Sequence, residues 1–471
     1  MIGPMPRTYS KAISPVGRDR GSPVEREFLN FFHSFMIRLI FSIAFITSLT
    51  QAEDRWVDAR STESQTFKAR QTRSLDSFQE LAAVTPGKLT RYGGLAAKDR
   101  PGTGFFRVEK MGDRWWMVDP DGGQFIFTGV CSVRDSSDPR EGVAVALDFL
   151  RSASFNGVGG FSDHDTIRAA EKPLPYTVTL NLMSSFGRTL GLTYAKAGHT
   201  GYEDDCIPVF EAAFEAHCLE VCRERLALLK EDPWLVGVFS DNELPMPEDL
   251  LDRMLKRPGA SQTAAEAFLA GRGEITDELR EDFIEHAFDT YFRITTGAIR
   301  KALPNHLSLG SRFHGRALRT RGAWKAAGRW CDAVSVNYYG YWSPQEEHLT
   351  NWQAWSGKPF LITEFYVKGV DSGLPNTTGA GWLVKTQADR GFFYQNFTLA
   401  LLESKTCIGW HWFKYMDNDP SDQMAEASNK DSNKGIVKLN GEAYLPLLDA
   451  MRELNTRVYP LSEHFEGAIR E

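Results

Sequence analysis

Val236 to Leu244, VGVFSDNEL, has the form of a buried barrel strand whose C-terminal end carries chemistry. An apolar run rich in β-branched and aromatic residues leads straight into Asp241, Asn242 and Glu243. A parallel strand is covered on both faces, so its residues must be apolar. Three polar groups in a row, where such a strand surfaces, cost stability unless they are used. Lys358 to Glu364, KPFLITE, has the same form and again ends in a carboxylate. The two glutamates are 121 residues apart, room for about three βα units at roughly 30 or more residues each. Two strand-end glutamates three units apart face each other across the mouth of a barrel. Taken singly, each would read as a cap for a neighbouring helix.

Working outward, apolar runs and amphipathic stretches alternate, as in a parallel α/β architecture. The first strand ends near Gly129-Val130. The others are predicted at Gly157–Phe161, Tyr176–Leu182, Leu235–Ser240, Leu307–Ser311, Ala333–Val336, Phe360–Thr363 and Cys407–Trp410. Helices are expected at Gly142–Ala153, from Phe210 to Leu229, at Asp277–Ala302 behind the N-cap Thr276, and at Glu442–Leu454. Pro245–Thr276 reads as an insertion with the character of a helical hairpin. Eight strands predict a (β/α)8 TIM barrel, occupying residues 103–460. Phe105 to Val130 alternates around the turn signals Gly112-Asp113 and Asp119–Gly123, so a hairpin or small meander is expected to close the bottom of the barrel. Residues 53–102 read as an extended leader lying over the domain, and 461–471 as a C-terminal tail.

The N-terminus has a different character. Met36 to Ala52, MIRLIFSIAFITSLTQA, has a basic start, a short apolar core and small residues before Ala52, the pattern of a secretory signal peptide. Met36 then reads as the true start and residues 1–35 as an extension ahead of it. Removing the signal leaves no membrane span in the mature form and predicts a secreted or periplasmic protein. Its 471 residues carry a formal net charge of −7, and the first 52 hold six basic residues against three acidic ones, so the mature chain is more acidic still. Such a surface repels nucleic acid and strongly sulfated polymers, but not neutral sugars. The six cysteines lack zinc spacing. Most read as buried thiols, with a disulfide or two open outside the cytoplasm.

In a barrel of this type the strand C-termini form the active face. Here they carry Asn242/Glu243, Arg312/His314, Asn337/Tyr338, Glu364 and Trp410/Trp412. Two opposed glutamates suit glycosidic cleavage, one donating a proton to the leaving oxygen and one attacking the anomeric carbon. Asn242 has the amide to hold a sugar 2-hydroxyl. Tyr338 is expected to hydrogen-bond Glu364 and keep it ionised. Arg312, His314 and Asn337 offer polar contacts to hydroxyls. Trp410 and Trp412, two apart, share a face and are expected to floor a sugar subsite; Trp342 is a further stacking candidate. His411 points the other way and reads as structural. The loop Val370–Trp382 either covers the site with Trp382 reaching in, or lies on the surface with Trp382 packed on an outer helix. No metal or other cofactor is called for.

Asn-Glu after strand four, Tyr after strand six, Glu after strand seven and Trp after strand eight resemble the clan A retaining glycoside hydrolases. Within that clan the chain is similar to glycoside hydrolase family 50, the β-agarases. The similarity covers residues 103–455 and rests on FFRVEKMGDRWWMVDPDGGQFIFTGV with Ser132 and Arg134 after it, VGVFSDNEL, NHLSLGSRFHG and LITEF. It implies Glu243 as acid/base, Glu364 as nucleophile, and a β-1,4 galactosidic bond in a polysaccharide or oligosaccharide of galactose and 3,6-anhydrogalactose. Many members carry a carbohydrate-binding-like domain at the N-terminus; about 50 mature residues precede the matching region here. Another clan A β-glycosidase, of galactosidase, mannanase or glucanase type, would use the same pair. A non-catalytic sugar-binding barrel would not need both carboxylates. A metal-dependent hydrolase has only Asp163-His164-Asp165 in its favour, which read as a polar loop and helix cap.

Overall fold

The computed structural model describes residues 55–134, 139–196, 199–422 and 429–467. The segments read as extension and signal peptide lie outside the described residues. Eight parallel strands close into a barrel: β1 Phe127–Val130, β2 Gly157–Val158, β3 Tyr176–Thr179, β4 Leu235–Asn242, β5 Leu307–Phe313, β6 Val334–Asn337, β7 Phe360–Phe365 and β8 Cys407–Trp412. They run around the barrel in chain order, and β8 returns to pair with β1 from Gly409–Phe127 to Trp412–Val130. This is the predicted (β/α)8 barrel.

The core is laid down as the apolar runs demand. Val236, Phe239, Leu309, Ala333, Leu361 and Ile408 fill the lower barrel, and Tyr92, Phe106, Met117 and Phe125 plug it from below. The last two belong to the expected meander, an antiparallel sheet of Arg107–Met111, Arg114–Val118 and Gln124–Phe125. Helix Asp277–Ala302 starts where Thr276 Oγ1 accepts the Leu279 N–H at 3.2 Å. Acidic residues lie in its first turn and basic ones in its last, complementing the helix dipole.

Three segments differ from expectation. The leader carries a hairpin, Arg55–Arg60 with Lys68–Thr72, which joins Trp382–Val384 and Val367–Gly369 in a four-stranded sheet. Its alternation is too short to stand out, since only Val57 and Ala59 of the first strand turn fully inward. The expected tail from residue 461 continues a helix, Val458–Glu466, tied down by Glu466 to the buried Arg114 at 2.8 Å. Strand β3 ends at Thr179, and Leu182 opens helix Leu182–Thr189. A β-hairpin, Thr193–Lys196 with His199–Tyr202, follows that helix and precedes helix Phe214–Leu226. An apolar run does not by itself distinguish a strand from the first turn of a buried helix.

Candidate active site

Strand β4 delivers its three polar residues to different tasks. Asp241 is buried and accepts the backbone N–H groups of Met183 at 2.9 Å and Ser184 at 3.3 Å, capping helix Leu182–Thr189, together with the Tyr291 hydroxyl at 2.6 Å. At Glu243 the backbone turns into the left-handed region, φ +52°, while its N–H holds the Arg312 carbonyl at 3.0 Å. A non-glycine residue held in that region stores strain of the kind that clusters at functional sites. The turn aims the Glu243 carboxylate into the mouth, where its side chain is 11% exposed.

Asn337, at the end of β6, fixes that carboxylate. Its Oδ1 accepts the Thr363 hydroxyl at 2.8 Å, so its Nδ2 is left to donate to Glu243 Oε1 at 2.7 Å and Asn242 Oδ1 at 3.1 Å. His314 Nδ1 lies 3.9 Å from Glu243 Oε1, and His199 Nδ1 lies 3.4 Å from Oε2. Burial pushes the Glu243 carboxyl up, but His199, His314 and Asn337 outweigh it and hold the group below its ordinary range.

Glu364, at the end of β7, is buried. Arg312 Nη2 donates to its Oε1 and the Tyr339 hydroxyl donates to its Oε2 at 2.6 Å. Arg312 is itself fully buried, its guanidinium 4.6 Å from the Phe161 ring centre and 5.5 Å from that of Phe239. Burial raises the Glu364 carboxyl; the Arg312 charge opposes this and the Glu243 charge adds to it. Burial and the neighbouring Glu364 charge push the Tyr339 phenol well up, so it remains a donor.

The expected hydrogen bond from Tyr338 to Glu364 is therefore made by Tyr339. Asn337 turns its side chain into the mouth, so the two-residue period of the strand carries Tyr339 to the same side and Tyr338 to the other. Tyr338 faces the helix layer, its hydroxyl 2.9 Å from His348 Nδ1. Trp410 and Trp412 do share a face, but it is the helix-facing one. Both are fully buried, Trp410 Nε1 donating to the Tyr394 hydroxyl and Trp412 Nε1 to the Lys434 carbonyl, each at 2.8 Å. They cannot floor a subsite, because the two-residue period of a strand sends one whole set outward. His411 takes the inward position. Its ring is fitted against Gly129, where a Cβ would come within 2.8 Å of it. Burial first, and the Arg312 charge second, push it down to about 3, so the ring is neutral.

Trp342 and Trp382 also turn away from the carboxylates. Trp342 Nε1 donates to Thr72 Oγ1 of the leader at 3.2 Å, and the two rings pack 5.9 Å apart with Arg70 over Trp382. Both fasten the leader to the barrel instead of presenting a face to sugar. Phe413 is a partly exposed aromatic just beyond β8, its ring centre 6.3 Å from that of Tyr366 and 6.4 Å from that of Phe161.

The structure thus brings together Glu243, Glu364, Asn242, Arg312, His314 and Asn337, and adds Tyr339, His199 and Phe413. Beside Glu243 a cleft of about 350 Å³ is lined by Lys196, His199, Pro245, Pro247, His314 and Arg316, among others. A larger hollow of about 700 Å³ sits on the outer wall and contains neither carboxylate. Asp163 caps helix His164–Ala169 by accepting the Thr166 N–H. All six cysteines are buried free thiols, and no described helix is long and apolar enough to cross a membrane.

Beta-agarase B of Vibrio sp. (strain JT0107) is 26% identical to the chain over 524 aligned positions, 84% of this chain and 53% of its own length. Beta-agarase A of the same strain is 31% identical over 193 positions, 38% of this chain and 18% of its own. The chain spans about half the length of the first of these relatives and less of the second. Among solved structures, BpGH50 superposes with a TM-score of 0.76 at 29% identity, covering 89% of this chain and 98% of that one. The chain is similar to the family 50 glycoside hydrolases. An exo-beta-agarase (TM-score 0.66, 20% identity, 82% of this chain and 70% of its own) and the agarase AgWH50C (0.65, 20%, 85% and 72%) share its fold. No family model matches it.

Proposed function

We propose that the chain is a retaining glycoside hydrolase that cleaves β-1,4 galactosidic bonds of agarose or agaro-oligosaccharides from the chain ends. The observation that carries the proposal is the pair Glu243 and Glu364, held at the barrel mouth by different partners. Support comes from the relatives named beta-agarases and from the likeness to BpGH50 over nearly its whole length. A retaining pair works with its two carboxyl groups about 5–5.5 Å apart, close enough for one to attack while the other protonates the leaving oxygen.

Arg312 and Tyr339 each hold one oxygen of Glu364, and each oxygen keeps a lone pair for attack. As Glu364 bonds to the anomeric carbon, Glu243 gives its proton to the departing oxygen. Glu243 then takes a proton from water, whose oxygen displaces the ester. Asn242 contacts the 2-hydroxyl as positive charge develops on the ring, and Phe413 offers the stacking face that Trp410 and Trp412 do not. The protein acts outside the cytoplasm after cleavage behind Ala52.

Incubation with a panel of red-algal, plant and microbial polysaccharides tests the substrate class. Agarose should yield oligosaccharides; release from mannan or glucan alone would replace the proposed substrate.

A further inference from the structure

His199 comes from the hairpin that the sequence reading passes over, yet it touches the carboxylate through which the leaving group must depart. Two histidines flank Glu243, and their hydrogen bonds differ. His314 Nδ1 also meets the Asn337 carbonyl at 3.4 Å. A carbonyl can only accept, so that nitrogen's proton is committed to the backbone. His199 Nδ1 instead faces Glu243 Oε2. Its hairpin neighbour Lys196 is engaged by Asp205 at 3.2 Å, and Asp205 also meets Arg253 at 3.5 Å. The other titratable groups turned toward Glu243 are Arg312 from β5, Tyr339 beyond β6, and Glu364 and Tyr366 from β7 and just beyond it.

We propose that His199 is a positioning residue that stores the catalytic proton for Glu243. This rests on Glu243 being the acid/base. In the free enzyme the proton sits on His199 Nδ1 and Glu243 is ionised, which accords with the lowered carboxyl. A neutral sugar entering the cleft displaces water, and a drier site disfavours the separated charges relative to the neutral pair. The proton crosses to Glu243 Oε2 and passes to the glycosidic oxygen as the bond to the anomeric carbon breaks and Glu364 bonds to that carbon. In the second half, water bonds to the anomeric carbon, the Glu364 ester breaks, and Glu243 takes the water proton. That proton returns to His199 as product leaves.

The test compares pH profiles of kcat/KM for wild type, His199→Gln and Glu243→Ala. The substrates are an agaro-oligosaccharide and a 2,4-dinitrophenyl β-glycoside of the same glycone, whose leaving group needs no proton. A histidine store lets the active protonation state persist above the ordinary carboxyl range. With the store removed, the alkaline limb for the oligosaccharide should fall by about 1–2 pH units, on the scale that separates ordinary histidine and glutamate values. The dinitrophenyl substrate should show no such shift in His199→Gln. An unmoved limb in His199→Gln, with Glu243→Ala still failing only on the poor leaving group, overturns the proton store alone. Equal failure of Glu243→Ala on both substrates overturns the acid/base assignment beneath it. In the wild-type protein, imidazole nitrogen NMR of His199 gives an answer that does not depend on a variant folding. A thio-linked oligosaccharide should deprotonate the ring, and an unchanged ring overturns the proposal.

Discussion

Tyr338 and Tyr339 are neighbours with separate tasks, and substitution should distinguish them. Tyr339→Phe removes the hydroxyl that holds Glu364 Oε2. It should lower kcat/KM by about 10–100-fold, or about 1.4–2.8 kcal/mol of transition-state stabilisation. Tyr338→Phe leaves His348 and the Gln345 N–H without that partner. It should cost about 1 kcal/mol of stability in denaturant unfolding and spare kcat/KM. The reverse pattern would restore the contact expected from sequence. With Glu364 as the proposed nucleophile, added azide should enter from the side vacated in Glu364→Gly and give an α-glycosyl azide. Glu243→Ala keeps the nucleophile, so azide should release a β-glycosyl azide from the intermediate formed on an activated glycoside. Azides of one shared configuration would contradict the two roles. Glu243 and Glu364 stood out only as a pair, two carboxylates ending apolar strands three βα units apart, since a single strand-end carboxylate can cap a helix, as Asp241 does. Tyr339 was not legible, because Asn337 and Tyr338 are adjacent and cannot both face the mouth, and only the contact of Asn337 with Glu243 shows that the inward set is Asn337 and Tyr339.

At the scale of elements, Asp241 couples β4 to helix Leu182–Thr189, and the coupling has a pH signature. Burial raises its carboxyl to about 7, against the Tyr291 and backbone hydrogen bonds, from an ordinary 3.8. Between those values the native state holds a proton that the unfolded chain has lost, so stability falls as pH rises. This contribution is present in full below about pH 4 and is lost as pH rises through the folded-state value. Asp241→Asn stays neutral throughout and should flatten the fall in Tm between about pH 5 and pH 8. A slope equal to wild type would contradict the assignment. Element positions were largely readable: helix Asp277–Ala302 begins and ends as its cap and charges indicate. The facing of β8 was not, because Trp410 and Trp412 suit a sugar floor as well as they suit a helix interface. Only the inward seat of His411 settles it.

For the whole molecule, the barrel was legible because eight buried strands must each be an apolar run. The leader hairpin and the hairpin carrying His199 were hidden because short, half-exposed strands owe their order to what they pack against. The second hairpin and the segment Leu244–Pro247 border the cleft beside Glu243, which suits a groove closed at one end. Agarose digestion should therefore release a short even-numbered product, the disaccharide foremost, from the start. An early ladder of long products with a rapid loss of viscosity would show internal cleavage. The opposed glutamates stand or fall on stereochemistry. Proton NMR of the anomeric centre during the first turnovers of the wild-type enzyme should show the β-anomer appearing before mutarotation, as two displacements at one carbon require. Initial appearance of the α-anomer would mean a single displacement and would contradict Glu364 as nucleophile and Glu243 as its acid/base partner.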